Sequence, residues 1–284
     1  MRTHLTQMKQ LIALIQATKF LWVFCIVLVL LNNSCSKNAE LPLVTVYAHA
    51  GMSLYEERTI YPANSFEGIK HSVEVLNAEG IEIDIQLTKD SILVLFHDPK
   101  ITNSPGFDGC IGLYDWAVLQ DLTLNYSTYK IVPLAEVLDY AVAKEVKVYL
   151  DIKTFNYCTG KSFPLEVMAA KLDSLTKDYS IQQKKLIVAG SFNISLLSQI
   201  KLPNLCLETV NPDSAVKYAE LNGFNYIVFP TNEVDSIQSQ SLIDTPLNWG
   251  VFGGKSNGEI KNTVGFRPSF IISDNFVFTQ KITR

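Results

Sequence analysis

The stretch IEIDIQLTKDSILVLFHD, residues 81–98, decides the fold. Ile81, Ile83, Ile85 and Leu87 alternate with Glu82, Asp84 and Gln86, the two-residue period of a strand with unlike faces. A second apolar run, Ile92 to Phe96, is another strand. Only Thr88-Lys89-Asp90-Ser91 lies between them, whereas a parallel crossover takes about a dozen residues or more. The two runs therefore form a tight hairpin. Pairing about a turn centred near Asp90 sets His97 opposite Asp84 or Glu82, a histidine beside two carboxylates.

Outward from the hairpin, short β-rich runs recur with helical stretches between them. Strands are expected at 43–48, 146–151, 185–190, 205–209, 225–229, 248–252 and 269–273. Phe66, Ile69, Val73 and Leu76 recur at helical spacing, with Asn64 or Ser65 able to cap that helix. Helices are also expected near 133–145, 163–177, 193–201 and 212–222, where Pro133, Pro164 and Pro212 stand at first turns. This alternation predicts an α/β fold, a TIM-type β/α barrel carrying the extra hairpin, with an open doubly wound sheet as the structural competitor. No linker or repeat divides residues 36–284, which read as one domain.

The composition is 48% apolar and 18% charged, with 24 basic against 28 acidic side chains, so a large core can be buried. Residues 1–35 hold Arg2, Lys9 and Lys19 and no acid, leaving an acidic body. Nucleic acid is therefore not an expected partner, since phosphate contacts need clustered Lys and Arg. Residues 1–35 read as a signal peptide: the apolar run Phe20–Leu31 is too short for a comfortable span. Asn32-Asn33-Ser34-Cys35 resembles a lipoprotein cleavage site, which predicts acylation of Cys35 and an exported domain tethered to the bacterial cell envelope. Cys110, Cys158 and Cys206 lack metal-site spacing and read as small core residues, or one exported pair could be bridged.

Glu82 and Asp84 share a face, either as a solvated edge or as a pair in a barrel mouth. In the mouth their mutual repulsion and burial cost would be relieved by a hard divalent cation. Asp151 and Lys153 repeat the spacing at the end of a strand, as a surface ion pair or as a third ligand with a phosphate-holding lysine. His49 leaves the first strand at a turn that Gly51 would permit, and His97 ends the third. His71 reads as a helix-surface residue. Segment 100–130, with Pro105, Gly106, Gly109 and Tyr114-Asp115-Trp116, reads as a loop and a candidate substrate lid.

The order AHAG (48–51), YPANSFEGI (61–69), EIDIQLTKD (82–90), LVLFHD (93–98), VPLAEVL (132–138), YLDIK (149–153), GSFN (190–193) and FIISDN (270–275) resembles the glycerophosphodiester phosphodiesterases over about residues 44–280. The resemblance implies Glu82, Asp84 and Asp151 as ligands of Mg²⁺ or Ca²⁺, His49 and His97 as general acid and base, and Lys153 on phosphate. It implies hydrolysis of a glycerophosphodiester to an alcohol and glycerol 3-phosphate, a substrate glycerol hydroxyl attacking phosphorus while the leaving alcohol is protonated. Four places depart from the family pattern. Ala50 stands for an arginine, Ala63 for the glutamate of its PEN motif, Asp151 for a glutamate and Phe252 for a common tryptophan. Asp151 and the missing arginine are shared with sphingomyelinase D-like and phospholipase D-like toxins, so a phospholipid or lysophospholipid substrate is the alternative. A catalytically weak surface binding lipoprotein is the third reading.

Overall fold

The computed structural model describes residues 43–54, 59–102, 104–125 and 127–284. The expected signal segment 1–35 with Cys35 lies outside them. Strands are Thr45–Ala48 (β1), Gly80–Leu87 (β2), Leu93–Leu95 (β3), Lys147–Ile152 (β4), Phe155–Asn156 (β5), Lys161–Ser162 (β6), Ile187–Ser191 (β7), Asn204–Glu208 (β8), Tyr226–Pro230 (β9), Asn248–Gly253 (β10) and Phe270–Ser273 (β11).

β1, β2, β4 and β7 to β11 form a parallel sheet that closes on itself, Tyr47 and Ala48 of β1 pairing with Gly80 and Ile81 of β2. Closure excludes the open-sheet competitor: the fold is a TIM-type barrel. β3 hangs antiparallel on β2 as the expected hairpin, with pairs Ile85–Leu95, Gln86–Val94 and Leu87–Leu93. The register corrects one expectation. Continued, it brings His97 level with Ile83, between the two acids and opposite neither. Regular pairing stops at Leu95, and a bond from the Phe96 N–H to the Asp84 carbonyl (3.1 Å) carries the chain on to His97.

All eight residues of β2 are buried, for two different reasons. Ile81, Ile83, Ile85 and Leu87 join the layer between barrel and helices, each worth about 1.5–3 kcal/mol on full burial. Glu82, Asp84 and Gln86 point inward. Beneath them the barrel is filled: the rings of Tyr47, Tyr149 and Phe270 stand 5.9–6.0 Å apart by centroid. Gly250 makes room for Phe270, since a Cβ there would lie 2.5 Å from the ring. The interior is thus solid below and open only at the carboxyl ends of the strands.

Helices occupy Phe66–Glu74, Leu134–Ala143, Leu165–Thr176 and Pro212–Asn222, close to expectation. Ser65 caps the first, accepting from the Gly68 N–H at 3.2 Å. Pro212 opens its helix, whereas Pro133 and Pro164 sit one residue earlier, at the caps. The helix expected at 193–201 is only Ile194–Leu197. Beyond it, the side chains of Ser198 and Gln199 bond the carbonyls of Ile194 and Ser195, an alternative to continued helix.

Segment 100–130 is more than a loop. Val94, Phe96, Ile101, Ile111, Leu119, Leu122, Leu124 and Ile131 make a second small core beside the barrel. Cys110 is bridged to Cys158, near the β5–β6 hairpin, while Cys206 is buried and free. The core-residue reading of the cysteines therefore holds for Cys206, and the bridged-pair alternative for the other two. His71 is half-buried against Tyr61, ring centroids 5.1 Å apart, not a plain surface residue. Among the described residues no helix is long and apolar enough to cross a membrane.

Candidate active site

β2 and β4 are paired in register, Glu82 beside Tyr149 and Asp84 beside Asp151. That register brings together the acids of two sequence motifs. Ligand oxygens of Glu82, Asp84 and Asp151 all lie within 4.8 Å of one another. Three carboxylates so close repel, and their surroundings show how each is managed.

Glu82, 2% exposed, accepts the Ala50 N–H at 2.6 Å. Ala50 can offer it because its backbone is left-handed (φ 49°), with Gly51 also at positive φ and packed on Ile69, where a Cβ would lie 2.6 Å away. Burial, then Asp84 and Asp151, push the Glu82 carboxyl well above its ordinary value. Asp84 is fully buried. Asn64 grips it twice, its amide donating to Oδ2 (2.8 Å) and its Oδ1 accepting the Asp84 N–H (2.9 Å). Burial works to raise Asp84, but Lys153, His97 and Asn64 outweigh it and hold the carboxyl low. Burial raises Asp151 against the pull of Lys153.

The Lys153 ammonium stands 2.9 Å from Asp84 Oδ1 and 2.5 Å from Asp151 Oδ2. It meets Asp84 Oδ1 off the direction a hydrogen bond needs, so that buried oxygen keeps an unfilled acceptor. Burial alone would lower Lys153, yet Asp84, Asp151 and Glu208 raise it far above the ordinary lysine value, and it stays charged. An all-oxygen cluster with an orphaned buried acceptor fits a hard divalent cation.

Two histidines flank the acids. His49 Nε2 lies 3.8 Å from Glu82 Oε2 and Nδ1 lies 2.8 Å from Asp274 Oδ1, the latter contact also poorly aligned. Gln86, the third inward residue of β2, fixes the turn bearing His97, its amide donating to the carbonyls of Phe96 (3.0 Å) and Asp98 (2.8 Å). His97 Nδ1 meets Asp98 Oδ1 at 2.9 Å. Burial lowers the His97 imidazole, but Asp98 and Asp84 overcome it and the net shift is upward.

A cavity of about 600 Å³ opens over these groups, lined by His49, Glu82, His97, Asp151 and Lys153. Its opposite wall includes Phe192, Glu208, Phe252 and Lys255. None of the described residues of 100–130 lines it; Leu124 and Asn125 line an adjoining pocket of about 220 Å³ that shares His97 and Leu54 with it. Ile101, Ile111, Leu119, Leu122 and Leu124 of the segment are buried in its own core, while Leu113 and Val118 are exposed.

Residues 58–222 match the glycerophosphoryl diester phosphodiesterase family. The chain belongs to that family. Among curated relatives, the glycerophosphodiester phosphodiesterase of Bacillus altitudinis is 23% identical over 194 residues, 64% of this chain and 75% of that one. The matched segments span 56% to 75% of the length of the curated relatives. A solved glycerophosphodiester phosphodiesterase from Parabacteroides distasonis superposes with TM-score 0.69 at 20% identity, covering 85% of this chain and 97% of that one. An Oleispira antarctica phosphodiesterase, solved with the product sn-glycerol-3-phosphate, gives 0.71 at 20%, covering 84% and 96%.

Within this family member, the six expected residues His49, Glu82, Asp84, His97, Asp151 and Lys153 meet at one mouth. Sequence reasoning missed Asn64 as a partner of Asp84, Gln86 as the brace of the His97 turn, and Asp274 and Glu208 altogether. Gln86 was available from the strand alternation, one step beyond the two acids. The other three act across strands that meet only when the barrel closes.

Proposed function

We propose that this chain hydrolyses glycerophosphodiesters to an alcohol and glycerol 3-phosphate. The observation that carries the reading is the β2–β4 register, which gathers two buried carboxylates and a half-buried third beside Lys153, His49 and His97 at one cavity. Glu82, Asp84 and Asp151 would hold a divalent cation, Mg²⁺ or Ca²⁺, both of which take carboxylate oxygens. When bound, it supplies electrostatic stabilisation of charge growing on the phosphoryl oxygens.

The protein's own groups account for the rest. Lys153 offers a fixed positive charge to phosphate, filling part of the role for which Ala50 has no side chain. His49 turns Nδ1 to Asp274 and His97 turns Nδ1 to Asp98, which leaves Nε2 of each for proton transfer. One imidazole removes a proton from the attacking glycerol hydroxyl and the other delivers one to the leaving alcohol, which forms a cyclic glycerol phosphate. The imidazole that gave up its proton then takes one from water, whose attack on phosphorus opens the ring to glycerol 3-phosphate, and the other returns a proton to the released hydroxyl. Glycerophosphocholine offered with Mg²⁺, with Ca²⁺ and with chelator tests this: cation-dependent release of choline supports it, and no release from any such diester overturns it.

A second reading rests on the apolar lining, Leu54, Phe192, Phe252 and Ile272, which suits a phospholipid or lysophospholipid. Choline release from lysophosphatidylcholine beside glycerophosphocholine separates the two: faster release from the lysolipid points to the lipid reading, and release from the deacylated diester alone counts against it. Tight binding without turnover would instead mark a surface binding protein. We also infer export and anchorage at Cys35. The Cys110–Cys158 bridge supports an oxidising compartment, and the 20–35 segment supports lipidation. Labelled palmitate that enters the wild type and not Cys35→Ser is the expected outcome.

A further inference from the structure

The floor of the mouth holds a carboxyl that the chemistry above leaves unused. Glu208 ends β8, is 5% exposed, and lines the cavity with Asp151 and Lys153. Its Oε1 accepts the Tyr149 hydroxyl at 2.9 Å. Tyr149 rises from β4, and β7 lies between the two strands. The groups meet over Gly190 of β7: a Cβ there would lie 2.2 Å from the Tyr149 hydroxyl oxygen and 2.7 Å from Glu208 Oε1. A bare backbone at that level is what admits the pair.

The register says where the pair points. Gly190 is the β7 partner of Asp151, whose other neighbour is Asp84 of β2. The Glu208 carboxyl therefore borders the acid cluster on the side away from Asp84. It is not one of the three clustered ligands. A phosphate held at the cluster and Lys153 would turn the first carbons of one ester alcohol toward this floor.

The chemistry of the pair narrows what it can read. An ammonium would need Glu208 ionised, and a phosphate oxygen would need it protonated. A hydroxyl suits either state, because it donates and accepts. Keeping a buried carboxyl and its tyrosine where apolar side chains would pack at less cost calls for such a partner. Resting on the glycerophosphodiester reading, we propose that Glu208, oriented by Tyr149, hydrogen-bonds a hydroxyl of the substrate's glycerol and makes the site prefer glycerol-bearing phosphates.

The test is calorimetric, on the full chain with Mg²⁺, using glycerol 3-phosphate and methyl phosphate as probes. Wild type is expected to bind glycerol 3-phosphate more tightly by roughly three- to tenfold, the net worth of one ordinary hydrogen bond. Glu208→Leu should erase that preference and leave methyl phosphate and Mg²⁺ affinity within about twofold. Glu208→Gln, which still donates and accepts, should restore most of it, and Tyr149→Phe should fall between. No preference in wild type, or full preference in a folded Glu208→Leu, overturns the proposal. Loss of Mg²⁺ affinity in Glu208→Leu overturns it too, and moves Glu208 into the cation site. Turnover is a separate readout: wild type that discriminates the two phosphates yet cleaves no glycerophosphodiester would sink the proposed reaction and spare this inference.

Discussion

The two walls of the barrel mouth are built differently. One, from β1, β2 and β4, carries His49, Glu82, Asp84, Asp151, Lys153 and, through the β3 hairpin, His97. Its groups come from short motifs and are fixed by dense contacts: Ala50 and Asn64 on the acids, Gln86 on the histidine turn. The other, from β7 to β11, presents one or two residues per strand end, among them Phe192, Glu208, Phe252 and Asp274. Several of these are apolar, and Phe192 is 58% exposed. A buried, charged, over-determined wall facing a sparse, partly apolar one fits a division between chemistry and recognition. The family departures cross that division: Ala50 and Asp151 alter the first wall, and Phe252 the second.

The largest effects should come from the first wall. His49→Ala and His97→Ala are each expected to lower kcat by about 10²–10⁴-fold, the usual contribution of a positioned proton-transfer group. Glu82→Gln should abolish cation-dependent turnover while keeping the Ala50 N–H satisfied. Thermal melts separate this from misfolding. Wild type should gain stability with cation, about 2.7 kcal/mol at a hundredfold excess over Kd. Glu82→Gln should gain none and melt, cation-free, close to wild type, because the neutral amide keeps an oxygen for the Ala50 N–H. If Phe252→Ala matched these losses in kcat, the division between walls would fail.

Next in size are the supports of the first wall. The Cys110–Cys158 bridge closes a loop across 48 residues, joining the excursion after β3 to the one after β4. Cys110→Ser with Cys158→Ser should cost about 2–4 kcal/mol in denaturant unfolding. Asn64→Ala removes both bonds to Asp84 and should cost about 1–3 kcal/mol. It should also weaken cation binding, since Asp84 then lacks its holder. On the second wall, Phe252→Ala should raise KM less than about tenfold and leave kcat near wild type, as loss of uniform binding does.

The same contrast explains what was legible in the sequence. The hairpin and the inward face of β2 follow from alternation and a four-residue gap, and the barrel follows from strands recurring between helices. His49 and His97 stood out because both end strands. Glu208 and Asp274 gave no such signal: each is a lone acid at a strand end, and its partner is 59 residues away for Glu208 and 225 for Asp274. Asn64 was visible only as a helix cap, a task Ser65 performs, because its grip on Asp84 needs the β1–β2 closure. The cysteine pair was ambiguous for a like reason, being set by how two excursions pack.

The smallest effect sharpens the boundary of the first wall at its most exposed member. His97 is 37% exposed and Asp98 52%, so their contact is partly screened by water. Burial lowers the imidazole, while Asp98 and Asp84 raise it, and the balance is upward. Asp98→Asn removes the larger raising influence and leaves burial and Lys153 set against Asp84 alone, so the His97 pKa should fall. NMR of the His97 ring protons should show that downward move directly. If His97 acts as the proton donor, the alkaline limb of kcat/KM descends through its pKa and should shift to lower pH. If it acts as the base, the acid limb rises through its pKa and shifts to lower pH as well. Which limb moves therefore assigns the role of His97, and by elimination that of His49. A profile in which neither limb moves, while the ring protons do, would place His97 outside the rate-determining proton transfers.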